Sequence, residues 1–172
     1  MRWPKKRERL PEVVAQALGA PTRHARAVAT LEGGWFAVDR GGYVLVQAGG
    51  CVSVRGAWAS LAGLVWDEGL GCVTVTFVDP ARPPLTIEVA EAPSLELLTA
   101  AREGIEESHV LTLCRVLECG TTVRAWVLRD SDGQLFSLLG ADGPIPPAER
   151  EQALSLEAKA REAAGLDPRE AH

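Results

Sequence analysis

Trp35-Phe36-Ala37-Val38-Asp39-Arg40-Gly41-Gly42-Tyr43-Val44-Leu45-Val46-Gln47-Ala48-Gly49-Gly50-Cys51-Val52-Ser53-Val54-Arg55 reads as three short strands joined by two glycine turns. The strands run over 35–39, 43–47 and 51–55, each apolar or alternating, and the first two are each followed by a pair of glycines. Paired glycines supply the positive φ that a tight reversal requires, so the segment predicts two consecutive β-hairpins.

Working outward, Arg26 to Leu31 alternates weakly and reaches the turn Glu32-Gly33-Gly34, which predicts a strand ahead of the hairpins. Gly56 to Trp66 is ambiguous. Trp58, Leu61 and Leu64 have helical spacing, but Gly63 and the shortness of the run favour a turn between two brief strands. After the turn Asp67-Glu68-Gly69-Leu70-Gly71, Val73, Val75 and Phe77 alternate with Thr74 and Thr76, the sign of one buried and one wetter face. The proline-rich link 80–84 leads to a further strand over 85–90. Pro93 then opens a helix to about Glu107, with Leu95, Leu97, Leu98, Ala101 and Ile105 as its apolar stripe.

Three more strand-like runs follow, over 110–117, 121–129 and 134–139, with turns at Glu118-Cys119-Gly120 and Asp130-Ser131-Asp132-Gly133. A last helix begins after Pro146-Pro147 and stops near Gly165. Its large apolar residues are Leu154 and Leu156, so weak packing is expected. At the other end, Pro11 and Gly19 bracket a short helix with Leu10, Val14, Ala17 and Leu18 on one face. The expected fold class is α+β and mainly antiparallel. The expected divisions are a basic N-terminus and short helix (1–24), a β-rich domain closed by a helix (25–108), and a C-terminal β-meander with a helix packed on it (109–172).

The chain has 172 residues, 47% of them hydrophobic, 24% charged, and a formal net charge of −5. That length suits one domain with an appendage and needs neither disulfide nor metal to fold. The negative balance argues against nucleic acid as a partner, because phosphate neutralisation needs a net basic surface. The longest uncharged run, 41–54, is short for a bilayer span and broken by glycines. The basic start is followed by Pro11, Glu12 and Gln16, not by a signal-like apolar run. A cytoplasmic location is the expectation, and the cysteines at 51, 72, 114 and 119 read as buried small residues in a reducing compartment.

A seven-strand antiparallel order closed by one helix resembles that of pleckstrin-homology-like domains, the bacterial members in particular. The residues that carry the resemblance are Trp35-Phe36-Ala37-Val38-Asp39-Arg40, Tyr43-Val44-Leu45-Val46, Trp58, Val65-Trp66-Asp67, Val73-Thr74-Val75-Thr76-Phe77 and the helix after Pro93. The opening, Arg2-Trp3-Pro4-Lys5-Lys6-Arg7-Glu8-Arg9-Leu10-Pro11-Glu12-Val13-Val14, is similar to that of an actinobacterial protein group. The resemblance covers about half the chain. It implies a helix-capped barrel or sandwich and a non-catalytic binding module for lipids, peptides or proteins. Lipid-binding members carry Lys and Arg between their first two strands. The corresponding loop here is Glu32-Gly33-Gly34, an acidic departure that argues against a phosphoinositide headgroup as the ligand.

Chemical motifs are weak. Asp130-Ser131-Asp132-Gly133 lacks the ligands that follow in a calcium loop and reads as a hairpin turn. Structural zinc at Cys114 and Cys119 needs Cys51 and Cys72 beside them. Ser53, Ser60, Ser108 and Ser137 lie outside any nucleophile elbow. Ser108 and His109 should point to opposite faces, and His24 sits in a loop. No catalytic residue, metal or cofactor is therefore expected. Arg2, Lys5, Lys6, Arg7 and Arg9 are candidates for contact with an anionic membrane surface, or a solvated terminus. Trp35, Trp58 and Trp66 read as core. The 121–129 strand is apolar on both faces (Val123, Ala125, Val127 against Trp126, Leu128), and Leu111 and Leu113 lie beside it. A strand buried on both sides needs a second covering layer. That layer is the terminal helix, the first module or a second copy of the chain, which makes Leu111, Leu113, Trp126 and Leu128 candidates for self-association as a homodimer. The expected function is a protein-interaction module. The alternatives are a small-molecule binder or small enzyme using the barrel mouth, and membrane contact through the basic start.

Overall fold

The computed structural model describes residues 10–19 and 22–167. The N-terminal helix α1 (Glu12–Leu18) precedes β1 (Arg26–Ala29), β2 (Trp35–Val38), β3 (Gly42–Val46) and β4 (Val52–Ala57). A 3₁₀ turn at Trp58–Ser60 leads to β5 (Leu61–Asp67), β6 (Cys72–Phe77), β7 (Leu85–Glu88) and α2 (Leu95–Ser108). The chain continues with β8 (His109–Val116), β9 (Thr122–Arg129), β10 (Leu135–Ala141) and α3 (Arg150–Ala163). All strand pairs are antiparallel, in sheets ordered β1-β2-β3-β4, β5-β6-β7 and β10-β9-β8. The protein is thus α+β, and a three-stranded sheet followed by a helix completes it.

The two expected hairpins form β2-β3-β4, with Phe36 opposite Leu45 and Val44 opposite Arg55. Gly33 (φ 79°), in the turn before β2, and Gly50 (φ 84°), in the β3–β4 turn, take the left-handed conformation. Gly34, the other member of its pair, serves by close approach: a Cβ there would run into the Val46 carbonyl.

Sheets β1–β4 and β5–β7 face one another as a sandwich. Their inner residues, including Phe36, Val38, Tyr43, Leu61, Val73, Val75 and Ile87, form one core with Leu97 and Ala101 of α2. The sheets touch at a corner, where Thr30 bridges Val89 and the Ala90 amide donates to the Ala29 carbonyl at 2.9 Å. The strands do not close into a barrel, so the sandwich is the form realised. On the outer face of the first sheet, Val14 of α1 packs with Ala37, Val44 and Val46.

Several expectations need adjusting. The ambiguous run 56–66 holds the end of β4, the 3₁₀ turn and most of a seven-residue β5. Trp58 and Leu61 are buried, but the turn between them, and not a helix, sets their spacing. Leu95 is exposed, because Ser94 caps α2 by accepting the Leu97 amide and leaves Leu95 outside the stripe. Three of the cysteines are exposed, and only Cys72 is buried. α3 packs closely: Ala153, Leu156 and Ala160 lie on Val123, Ala125 and Val127, with alanines allowing near approach, while Leu154 points to solvent.

Candidate functional site

A cavity of about 760 Å³ forms an open trough along α2. Its position follows from the helix's amphipathicity. Leu97 and Ala101 turn into the core, which brings Glu96, Thr99, Glu103 and Glu107 of the opposite face onto one wall. The other wall is His24, Arg26, Asp39 and Arg40, from the start of β1 and the β2–β3 turn. Trp58 forms the floor, donating its indole N–H to the Asp39 carbonyl at 3.1 Å. Gly104 lets the helix rest on this ring, since a Cβ there would come within 2.5 Å of the indole.

A second cavity of about 460 Å³ continues the trough between α2 and the β9–β10 turn. The two share Arg40, Trp58, Gly104 and Glu107. Two similar turns present its arginines. Asp39 Oδ1 accepts the Gly41 and Gly42 amides at 2.8 and 3.0 Å, and Asp130 Oδ1 accepts the Asp132 and Gln134 amides at 2.9 and 2.8 Å. Each aspartate is engaged by its own turn, and the neighbouring Arg40 and Arg129 have no ion-pair partner among the described residues. Across the cavity stand Glu107 and Ser108. The trough is walled by carboxylates on the helix side and guanidinium groups on the loop side, over an aromatic floor. This arrangement suits an extended segment carrying both charge signs.

Among the described residues two groups have displaced pKa values, and both lie outside the trough. The hydrogen bond to Glu106 raises Arg102, and the Thr122 amide holds Asp142 below the usual carboxylate range. Ser108 and His109 diverge as expected: Ser108 Oγ donates to the Ile105 carbonyl, and His109 Nε2 lies 2.8 Å from the Leu61 carbonyl. No group of three or more metal-binding side chains occurs among the described residues, and none of their helices is long and apolar enough to cross a membrane.

Arg2, Lys5, Lys6, Arg7 and Arg9 lie outside the described residues. The other sequence candidates, Leu111, Leu113, Trp126 and Leu128, are engaged within the chain. Leu111 and Leu113 pack toward α3. Trp126, 8% exposed, and Leu128 pack with Ala59, Val78 and Phe136. The terminal helix and the first module therefore both cover β9, one on each face. Sequence reading missed Arg40, Arg129, Glu103 and Glu107. The available signal was the recurrence of an Asp-led turn beside an arginine, together with the acidic spacing on α2.

No protein-family model, curated protein or solved structure matches the chain.

Proposed function

We propose that the chain is a non-catalytic interaction module of the pleckstrin-homology-like kind, which takes an extended segment of a partner protein into the trough along α2. The observation that carries this reading is that the two adjoining cavities share Arg40, Trp58, Gly104 and Glu107, with carboxylates on the helix side facing Arg26, Arg40 and Arg129 on the loop side. The four-plus-three sandwich closed by a helix supports the family reading. An open channel with its polar groups spread along its length fits a polypeptide better than a small molecule, which is usually enclosed by an apolar pocket.

The test is affinity capture from native lysate with wild type, Arg40→Glu/Arg129→Glu and Glu103→Lys/Glu107→Lys, all exposed changes. A polypeptide held by wild type and lost by both variants is the expected result. Equal retention by all three proteins would remove the trough as the binding surface.

A further inference from the structure

The longest strand edge left open by the fold is β8, eight residues from His109 to Val116. Sheet edges invite pairing, and proteins guard them with short length, charge, proline or a covering element. β1 and β7 have four residues each, with Arg26 on one and Pro83-Pro84 ahead of the other. β4 carries Arg55, α2 packs on β5, and the charged pair Glu157 and Arg161 reaches Ser137 of β10. β8 carries Arg115 and touches α2 and α3, but its exposed face holds neither charge nor proline. Val110, Thr112, Cys114 and Val116 alternate outward there, and Val116 is 66% exposed. From 110 to 116 the backbone hydrogen bonds run to β9, and no other backbone partner occurs among the described residues.

We infer that this edge pairs with the β8 of a second copy, antiparallel and centred on Leu113, joining two three-stranded sheets into one of six strands. The order of the outward residues argues for a copy over another strand. Val-Thr-Cys-Val reads nearly the same in both directions, so reversal sets Val110 against Val116 and Thr112 against Cys114 of the second copy. On the other face Leu113 meets Leu113, and Arg115 meets Leu111 instead of another cation. A register centred on Arg115 would place like charges opposite one another and is disfavoured. The bulge at 109–111 ends the regular pairing at that side.

The extent of the contact sets its strength. Eight residues give a seam about 26 Å long and about 10 Å deep. That amounts to a few hundred Å² per copy, against about 800 Å² in a standard stable interface. The dimer is accordingly a micromolar, concentration-dependent one. It does not depend on the trough, whose lining includes none of residues 110–116.

The test is sedimentation equilibrium from about 1 to about 300 µM. Wild type is expected to pass from one chain to two, and Thr112→Lys/Val116→Lys to stay at one chain with unchanged circular dichroism, its dissociation constant raised at least tenfold. A single-chain mass for wild type at the highest concentration would overturn the proposal, and so would a lysine variant that dimerises equally well. If the lysine variant loses its fold, cross-linking decides. In a Cys51→Ser/Cys119→Ser background, Thr112→Cys should oxidise to a disulfide with Cys114 of the second copy, which directly opposed strand positions allow. Failure to form that interchain bond, or equal yield from Ser53→Cys, would also overturn it.

Discussion

Gly104 illustrates how one residue ties the fold to the trough. Inside a helix, glycine is worse than alanine by about 1 kcal/mol, so Gly104→Ala on an ordinary surface would stabilise the protein. Here the Cβ would meet three atoms of the Trp58 indole at 2.5–2.7 Å. The ring cannot yield cheaply, being buried and held by its N–H on the Asp39 carbonyl. Overpacking of this kind typically costs about 1–3 kcal/mol. Gly104→Ala is therefore expected to lower the urea midpoint and to shift Trp58 fluorescence, and a higher midpoint would show that α2 can move off the ring. Nothing local to Gly104 announced this. The turn glycines were legible because their requirement is local, a positive φ between two apolar runs. The requirement on Gly104 comes from a tryptophan 46 positions earlier in the numbering and exists only once the helix is docked.

At the scale of elements, strands with clear alternation were legible. β6, with Val73 and Val75 buried and Thr74 and Thr76 half-exposed, is the plainest case. β5 was obscured because a 3₁₀ turn resets the phase between Trp58 and Leu61. α3 was misjudged because hydrophobicity alone undervalues alanine, whose small volume lets a helix lie close to a sheet. The β9–β10 hairpin makes a further point about ends. Asp142 follows β10, and its Oδ1 accepts the Thr122 amide at 2.7 Å where β9 starts; the Asp142 amide returns a bond to the Thr122 carbonyl at 3.1 Å. The Thr122 bonds hold the carboxyl pKa below its ordinary value. A group depressed in the folded state adds stability that is present above its unfolded pKa, near about 3.9, and is lost as the pH falls through the lower folded value. Thermal unfolding of wild type and Asp142→Asn should thus differ at neutral pH and converge in acid. A gap that stays constant as the pH falls through the carboxylate range would mean the ionised carboxylate has no special role in closing the hairpin.

Over the whole molecule, the third sheet is bound to the sandwich through an apolar contact that sequence pattern could pose but not locate. Alternation showed that β9 is apolar on both faces, and therefore that two layers cover it. It could not distinguish a layer from the same chain from one supplied by another, because both bury the same residues. The structure assigns one face to α3 and the other to Ala59, Val78 and Phe136 around Trp126 and Leu128. A Cβ at Gly140 would crowd both Trp126 and Pro80, so the strand next to Trp126 is also fitted to the β6–β7 link. The His109 ring adds a polar tie to the Leu61 carbonyl. With so much of the contact centred on one side chain, wild type is expected to unfold in a single transition that both modules share. Trp126→Ala removes the largest part of that contact, and such truncations cost about 3–5 kcal/mol. Because α3 still covers the other face of β9, the loss falls on the coupling between modules more than on the third sheet itself. Differential scanning calorimetry of Trp126→Ala should show two separated transitions where wild type shows one. A variant that melts in one transition at an unchanged temperature would mean that the modules are joined by something other than this packing.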